Sequence, residues 1–290
     1  MLQRYPKIFK LSIAFVIIGL LASAQTPIPN TPAAWSQPYQ PFRIAGNLYY
    51  VGTVDLACYL ITTPQGNILI NTGLATSDKM IKSNIKALGF RFEDTKILLT
   101  TQAHHDHLGA MAAIKKATGA QMMVDEADAA VMRDGGRSDY ALGGKSNNFD
   151  AIQADRMLHD GDIIKLGNTS LLMLHHPGHT KGCCSFLFDV KDEHHSYRVL
   201  IANMPSIVTE KKFSEIAEYP GIVQDYTQTF KSLKSLTFDI WLSSHASQFD
   251  LQAKHKPGGA YKPDTFRDRK GYDEILDNLQ KQFSKKLVIE

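Results

Sequence analysis

The segment Thr101-Gln102-Ala103-His104-His105-Asp106-His107-Leu108-Gly109 restricts this chain more than any other feature of it. It stands between a β-rich run, Lys96 to Thr100, and a helical pattern, Gly109 to Thr118, stopped by Gly119. Loops at the carboxyl ends of strands are where α/β folds place their sites. Three histidines and one aspartate within four residues make poor core filler, because every buried imidazole needs its own partner. As metal ligands they fit well, since nitrogen and carboxylate donors suit zinc. One loop cannot close two coordination spheres, so further donors are expected past other strands.

Two other strand patterns end in histidine. Ser170 to His175 runs into His176-Pro177-Gly178-His179-Thr180, and Phe238 to Ser243 runs into Ser244-His245-Ala246-Ser247. His179 and His245 are therefore candidate ligands. His159, His194, His195 and His255 have polar or charged neighbours and are read as surface residues, while His175 and His176 stay unassigned. Elsewhere Leu48 to Val51, Ala57 to Thr62 and Asn67 to Asn71 form short β-rich runs, as in a meander. A helix is expected over Ser77 to Leu88, a strand over Gln121 to Val124, a helix through Met132 and a loop over Gly135 to Ser146. Strands over Cys183 to Asp189 and Arg198 to Ala202 precede a helix, Ile222 to Leu236, with Val223, Tyr226, Phe230 and Leu233 on one stripe. A last helix carries Tyr272, Ile275, Leu276, Leu279 and Phe283. Strands mixed with helices in two similar halves, without a Ser- or Gly-rich linker, predict a single α/β sandwich with its helices outside.

The first 24 residues read as a separate unit. Arg4, Lys7 and Lys10 precede an apolar run, Leu11 to Ala22, and Ala22-Ser23-Ala24 supplies small residues before Gln25. That is the pattern of a cleavable secretory signal; the run is too short to span a bilayer as a stable anchor. Residues 25–290 are then expected as one soluble domain, exported to the periplasm of a Gram-negative source. Those three cations account for the charge excess. Of 32 basic side chains 29 remain against 29 acidic ones, so the body is neutral and gives no basis for binding nucleic acid. A neutral body without a visible seam is expected to be a monomer. Cys58, Cys183 and Cys184 are odd in number, and nothing in their spacing demands a bridge or a structural zinc knuckle; buried thiols are expected.

The run His104-His105-Asp106-His107-Leu108-Gly109, with His179 in His-Pro-Gly-His-Thr and His245 downstream, resembles the metallo-β-lactamase superfamily over nearly all of the mature chain. Trp35 in a proline-rich amino arm, Gly135-Gly136-Arg137-Ser138-Asp139 and Asn203-Met204-Pro205-Ser206 are similar to subclass B3. Gln102, where most members have His, together with Met204, is similar to the GOB-type branch.

The resemblance implies a four-layer αββα sandwich with its site at one edge between the sheets. It implies two zinc ions, one held by Gln102, His104 and His179 and one by Asp106, His107 and His245. The Gln102 site is expected to be the weaker, because an amide oxygen is neutral. The implied enzyme is a zinc-dependent β-lactamase conferring antibiotic resistance. Two zincs ~3.5–4 Å apart can hold a shared hydroxide that opens the lactam amide; Asp106 also orients that nucleophile. Trp35, Tyr39, Met204 and Ser206 are the candidate substrate contacts, with the 135 to 146 loop at the rim. The same-fold alternative is a hydrolase of another ester, thioester or lactone. Against it, Met204 stands where thioesterase-like relatives place a bridging aspartate, and a thioether is a poor zinc donor.

Overall fold

The computed structural model describes residue 1, residues 31–146 and residues 148–289. The signal sequence expected over residues 1–24 lies outside them, Met1 apart. Residues 32–290 form one compact unit.

Its first half alternates between two chain directions. Strands β1 (Phe42–Ala45), β2 (Leu48–Tyr50), β3 (Tyr59–Thr63) and β4 (Gly66–Ile70) are an antiparallel meander. Helix α1 (Asp78–Ala87) then carries the chain back to β5 (Thr95–Leu99), which lies parallel to β4. Two short helices, α2 (His105–Leu108) and α3 (Met111–Thr118), lead to β6 (Gln121–Asp125); α4 (Ala129–Arg133) and a long loop lead to β7 (Arg156–Leu158). The resulting seven-stranded sheet keeps sequence order.

The second half builds a five-stranded sheet in the order β12-β11-β10-β9-β8. Its strands are β8 (Ile163–Leu166), β9 (Thr169–His175), β10 (Cys184–Lys191), β11 (Ser196–Ala202) and β12 (Ile240–Ser243). Helix α5 (Ile222–Ser235) makes the crossover from β11 to the parallel β12, and α6 (Leu251–Lys254) and α7 (Arg269–Ile289) follow.

Side-chain alternation along the strands sets the layers. In the first sheet Tyr59, Ile61, Ile68, Ile70, Ile97 and Leu99 enter the core shared with Met173, Phe186, Val199 and Ile201 of the second. The intervening Leu60, Leu69 and Leu98 point the other way, onto Ile81 and Ile85 of α1 and Met111 and Ile114 of α3. On the far side Tyr226, Phe230 and Leu233 of α5 and Tyr272, Leu276 and Phe283 of α7 belong to the larger core. The fold is thus an αββα sandwich, in which each fully buried aliphatic contributes ~1.5–3 kcal/mol. The irregular amino arm ends directly after its last proline, Pro41, at β1, whose Phe42 and Ala45 pair with Tyr50 and Leu48.

Candidate metal centre

Three strand ends converge at one edge of the sandwich. Asn71, just past β4 and left-handed at φ 61°, accepts the Thr101 N–H at its Oδ1 (3.0 Å) and so fixes where the chain leaves β5. Thr101 Oγ1 lies 2.9 Å from Ser244 Oγ beyond β12, and the Cys184 N–H donates to the Thr101 carbonyl (2.9 Å) at the start of β10. The polar segment leaves this junction and coils into α2, whose first turn carries Asp106 and His107. Gly109 then passes under the preceding loop, where a Cβ would lie 2.5 Å from the Ala75 nitrogen.

His179 arrives by a different device. Tyr140 and Thr229 donate their hydroxyls to the carbonyls of Gly178 and Pro177, pinning the loop after β9 to the 135 to 146 loop and to α5. Gly178 has φ 135° and lies against the Tyr226 ring, where a Cβ would come within 2.8 Å of ring carbon. His176 is buried between Ser185 Oγ (2.7 Å) and Ser232 Oγ (2.9 Å), which anchors the same loop. Burial lowers its imidazole to about 4.

Five of the six candidate ligands form two adjacent groups. His104 Nε2 faces Asp139 Oδ2 (3.3 Å) and His179 Nδ1 faces the Ser206 carbonyl (2.9 Å). Acceptors at those positions draw the ring protons there, so with both imidazoles neutral the remaining lone pairs, on His104 Nδ1 and His179 Nε2, confront each other at 3.2 Å. Next to them Asp106, His107 and His245 each bring one ligand atom within 4.8 Å of the others. His245 Nδ1 donates to Asp55 Oδ2 (3.1 Å), leaving Nε2 3.4 Å from Asp106 Oδ2. His107 is fully buried with Nε2 3.3 Å from the same oxygen, yet neither ring nitrogen has a hydrogen-bonding partner among the described residues.

Opposed lone pairs and an orphaned buried imidazole are unfavourable unless a cation lies among them. Burial opposes charge on His104, yet Asp139 outweighs it and raises that imidazole above its ordinary value. Burial lowers His179 to about 3, with His104 adding to the effect. Burial works against charge on His245 too, but Asp106 and Asp55 outweigh it and raise that imidazole to about 9. Burial also opposes charge on Asp106, and its histidine neighbours hold it well below the carboxylate range regardless. This donor set suits a borderline divalent cation such as zinc.

Gln102 is buried on the same segment, with its Oε1 3.7 Å from Cys183 Sγ. Trp35 is half-buried over the second group, its ring centroid 5.6 Å from that of His245, and Nε1 donates to Asp55 Oδ2 (3.0 Å). Ser206 is also half-buried, its Oγ 3.0 Å from His179 Nδ1.

Three expectations need correction. Tyr39 does not line a rim: 5% exposed, it packs against Phe42 and Tyr50 and donates its hydroxyl to the His255 carbonyl (2.7 Å). Met204, at 2%, is likewise part of the core, with little surface left for a bound molecule. His255 is not a surface residue, because β1 brings the Phe42 ring onto it at 3.6 Å in a parallel stack. His159, His194 and His195 are exposed as expected. The residues missed were the acceptors behind the ligands, Asp55 and Asp139. Each is an isolated loop acid far away in sequence; Asp139 lay within a motif already noted, but nothing there pointed to His104.

Comparison with known proteins agrees with this geometry. Residues 52–192 match the family described as the Metallo-beta-lactamase superfamily. A class B3 di-zinc metallo-β-lactamase from an Alaskan soil metagenome is 68% identical, with a TM-score of 0.88 over 90% of this chain and 99% of that one. The metallo-β-lactamase GOB-18 of Elizabethkingia meningoseptica is 55% identical, with a TM-score of 0.90 over 92% of this chain and all of the other. Among curated proteins, a probable metallo-hydrolase of Burkholderia pseudomallei is 34% identical over 116 residues, 40% of this chain and 37% of that relative's length.

Proposed function

Because the chain belongs to the metallo-β-lactamase superfamily, among its class B3 members, we propose that it is a zinc-dependent β-lactamase that hydrolyses the amide bond of the lactam ring. The observation that carries this reading is the opposition of His104 Nδ1 to His179 Nε2 beside the Asp106, His107 and His245 group. Gln102, His104 and His179 hold one zinc; Asp106, His107 and His245 hold the other. Bound zinc supplies Lewis acidity, which makes water nucleophilic at neutral pH and stabilises charge on the lactam as it opens.

The side chains around the zincs do the positioning. Asp139 and the Ser206 carbonyl keep protons on the outer nitrogens of His104 and His179, so the inner ones stay available as donors. Asp106 presents Oδ2 to His107 and His245, and its second oxygen is left to hold a proton of the attacking water. Trp35 contributes an apolar wall against which the lactam lies, and the Ser206 hydroxyl is placed to meet the substrate carboxylate. Met204 is buried and offers a thioether, a poor zinc donor, where an acid could otherwise serve, which favours a lactam over the thioesters of related hydrolases.

The test is turnover of a chromogenic cephalosporin by the purified chain, with and without chelator, beside a thioester and a lactone. Cephalosporin turnover that chelation abolishes and added zinc restores is the expected result. Preferred hydrolysis of the thioester or lactone would overturn the assignment. Expression in the periplasm of a susceptible bacterium should also raise the antibiotic concentration needed to stop growth, as export and resistance require.

A further inference from the structure

Cys183 is a nucleophilic side chain close to the centre that the reading above does not use. It is fully buried at the entry to β10, and its sulfur has three polar neighbours. The Thr180 N–H donates to Sγ at 3.0 Å, Thr180 Oγ1 is also at 3.0 Å, and with the carboxamide as placed in this structure the thiol donates to Gln102 Oε1 at 3.7 Å. Thr180 follows His179, and its hydroxyl donates to Asp128 Oδ2 (2.7 Å). Asp128 also accepts from the Ala103 N–H (2.8 Å) and the Gly182 N–H (2.8 Å). One ring of contacts therefore joins the residue after His179 to the residues on both sides of the Gln102–Ala103 bond.

Counting donors and acceptors around this ring decides what the thiol can do. The single Thr180 hydroxyl proton goes to Asp128, so Thr180 Oγ1 is left as an acceptor for the Cys183 S–H. Sγ then has acceptor capacity beyond the Thr180 N–H. A carboxamide carries donors at one end and an acceptor at the other, and turning it by half a revolution exchanges them with little change of shape. Nε2 turned to the sulfur satisfies both groups and sends Oε1 away from it. Oε1 turned to the sulfur competes with Thr180 for one weak S–H donor.

We infer that Cys183 is a positioning residue for Gln102, accepting a hydrogen bond from its Nε2 and thereby committing Oε1 to the metal. The inference rests on the reading that Gln102 is a zinc ligand. It explains how a neutral amide, free to present either end, is kept in the one orientation that can bind a cation. Outer-shell partners of this kind typically change metal affinity by ~10–100-fold when removed.

The experiment is a chelator titration of zinc content on the zinc-loaded full chain, in wild type, Gln102→Ala, Cys183→Ala and Cys183→Ser. In wild type one zinc should leave before the other, and Gln102→Ala should remove that early zinc. Cys183→Ala should release it at ~10–100-fold lower chelator with the later step unchanged, and Cys183→Ser, which keeps a donor and an acceptor, should recover most of the loss. Equal weakening in the Ala and Ser variants would assign the effect to packing and overturn the inference, as would wild-type release from Cys183→Ala. If Cys183→Ala does not fold, early loss of zinc from Cys183→Ser overturns it instead. A Gln102→Ala chain that keeps both zincs would refute the ligand reading itself, and the role of Cys183 with it.

Discussion

Three of the four imidazoles at this centre, those of His104, His179 and His245, are oriented by an acceptor on the far side of the ring. Asp55 is the clearest case. Its carboxylate accepts from His245 Nδ1, Trp35 Nε1 and the Ser247 N–H, so one side chain sets a ligand and the wall above it together. Asp55→Ala should therefore weaken zinc at the His245 site by ~10–100-fold, and by freeing Trp35 it should raise KM for the lactam as well. A chelator titration with steady-state kinetics checks both; unchanged zinc release would disprove the link. Direct loss of a ligand is harsher. His179→Ala and His245→Ala should each lower kcat/KM by orders of magnitude, whereas exposed His159→Ala should leave it within a few-fold. Comparable loss in all three would contradict the assignment. The ligands were legible in the sequence because several crowd into one short run and the others follow strand patterns. Their supporting acids were not, since a single aspartate in a loop shows no periodicity and only the fold reveals what it faces.

At the scale of elements, long amphipathic segments were read closely and short edge strands were missed. The stripe through Val223, Tyr226, Phe230 and Leu233 marks α5, which ends at Ser235 against an expected Leu236. Neither β7 nor β8 was anticipated. Each is an edge strand of three or four residues whose exposed Met157 and Ile163 interrupt the usual alternation. The helix expected over Gly109 to Thr118 is α3, which starts two residues later at Met111 and ends at Thr118, and a separate turn, α2, carries Asp106 and His107. The joint between the His179 loop and α5 yields a pH prediction. His176 is held neutral there, with a folded value of about 4 against an ordinary 6.5. Between those values the unfolded chain binds the proton and the folded chain does not, so stability present at neutral pH is lost as pH falls from 6.5 towards 4. The loss is about 3 kcal/mol over that window. Thermal midpoints of zinc-free wild type should fall through it, and His176→Gln, which can still bond both serines, should fall less. Parallel profiles would disprove the role of this imidazole.

The whole molecule poses a redox question that its three cysteines answer. Cys58 packs in the layer under α1 and α3, while Cys184 lies in the core between the sheets, so the body of the first sheet separates them. All three are buried and free, and burial raises each thiol above its ordinary value. Thiol chemistry needs the thiolate and access, and both are denied here. Such a chain can pass into an oxidising compartment without pairing, which fits the proposed export. Among the described residues no helix is long and apolar enough to cross a membrane. The periplasmic form should therefore begin at Gln25 and carry three reduced cysteines. Intact mass measures both, and a thiol reagent should react slowly with the native protein and with three groups after denaturation. A membrane-bound chain that retains Met1 would overturn the export proposal. A mass two hydrogens short, with only one thiol released on denaturation, would instead leave export standing and show that two of these sulfurs meet.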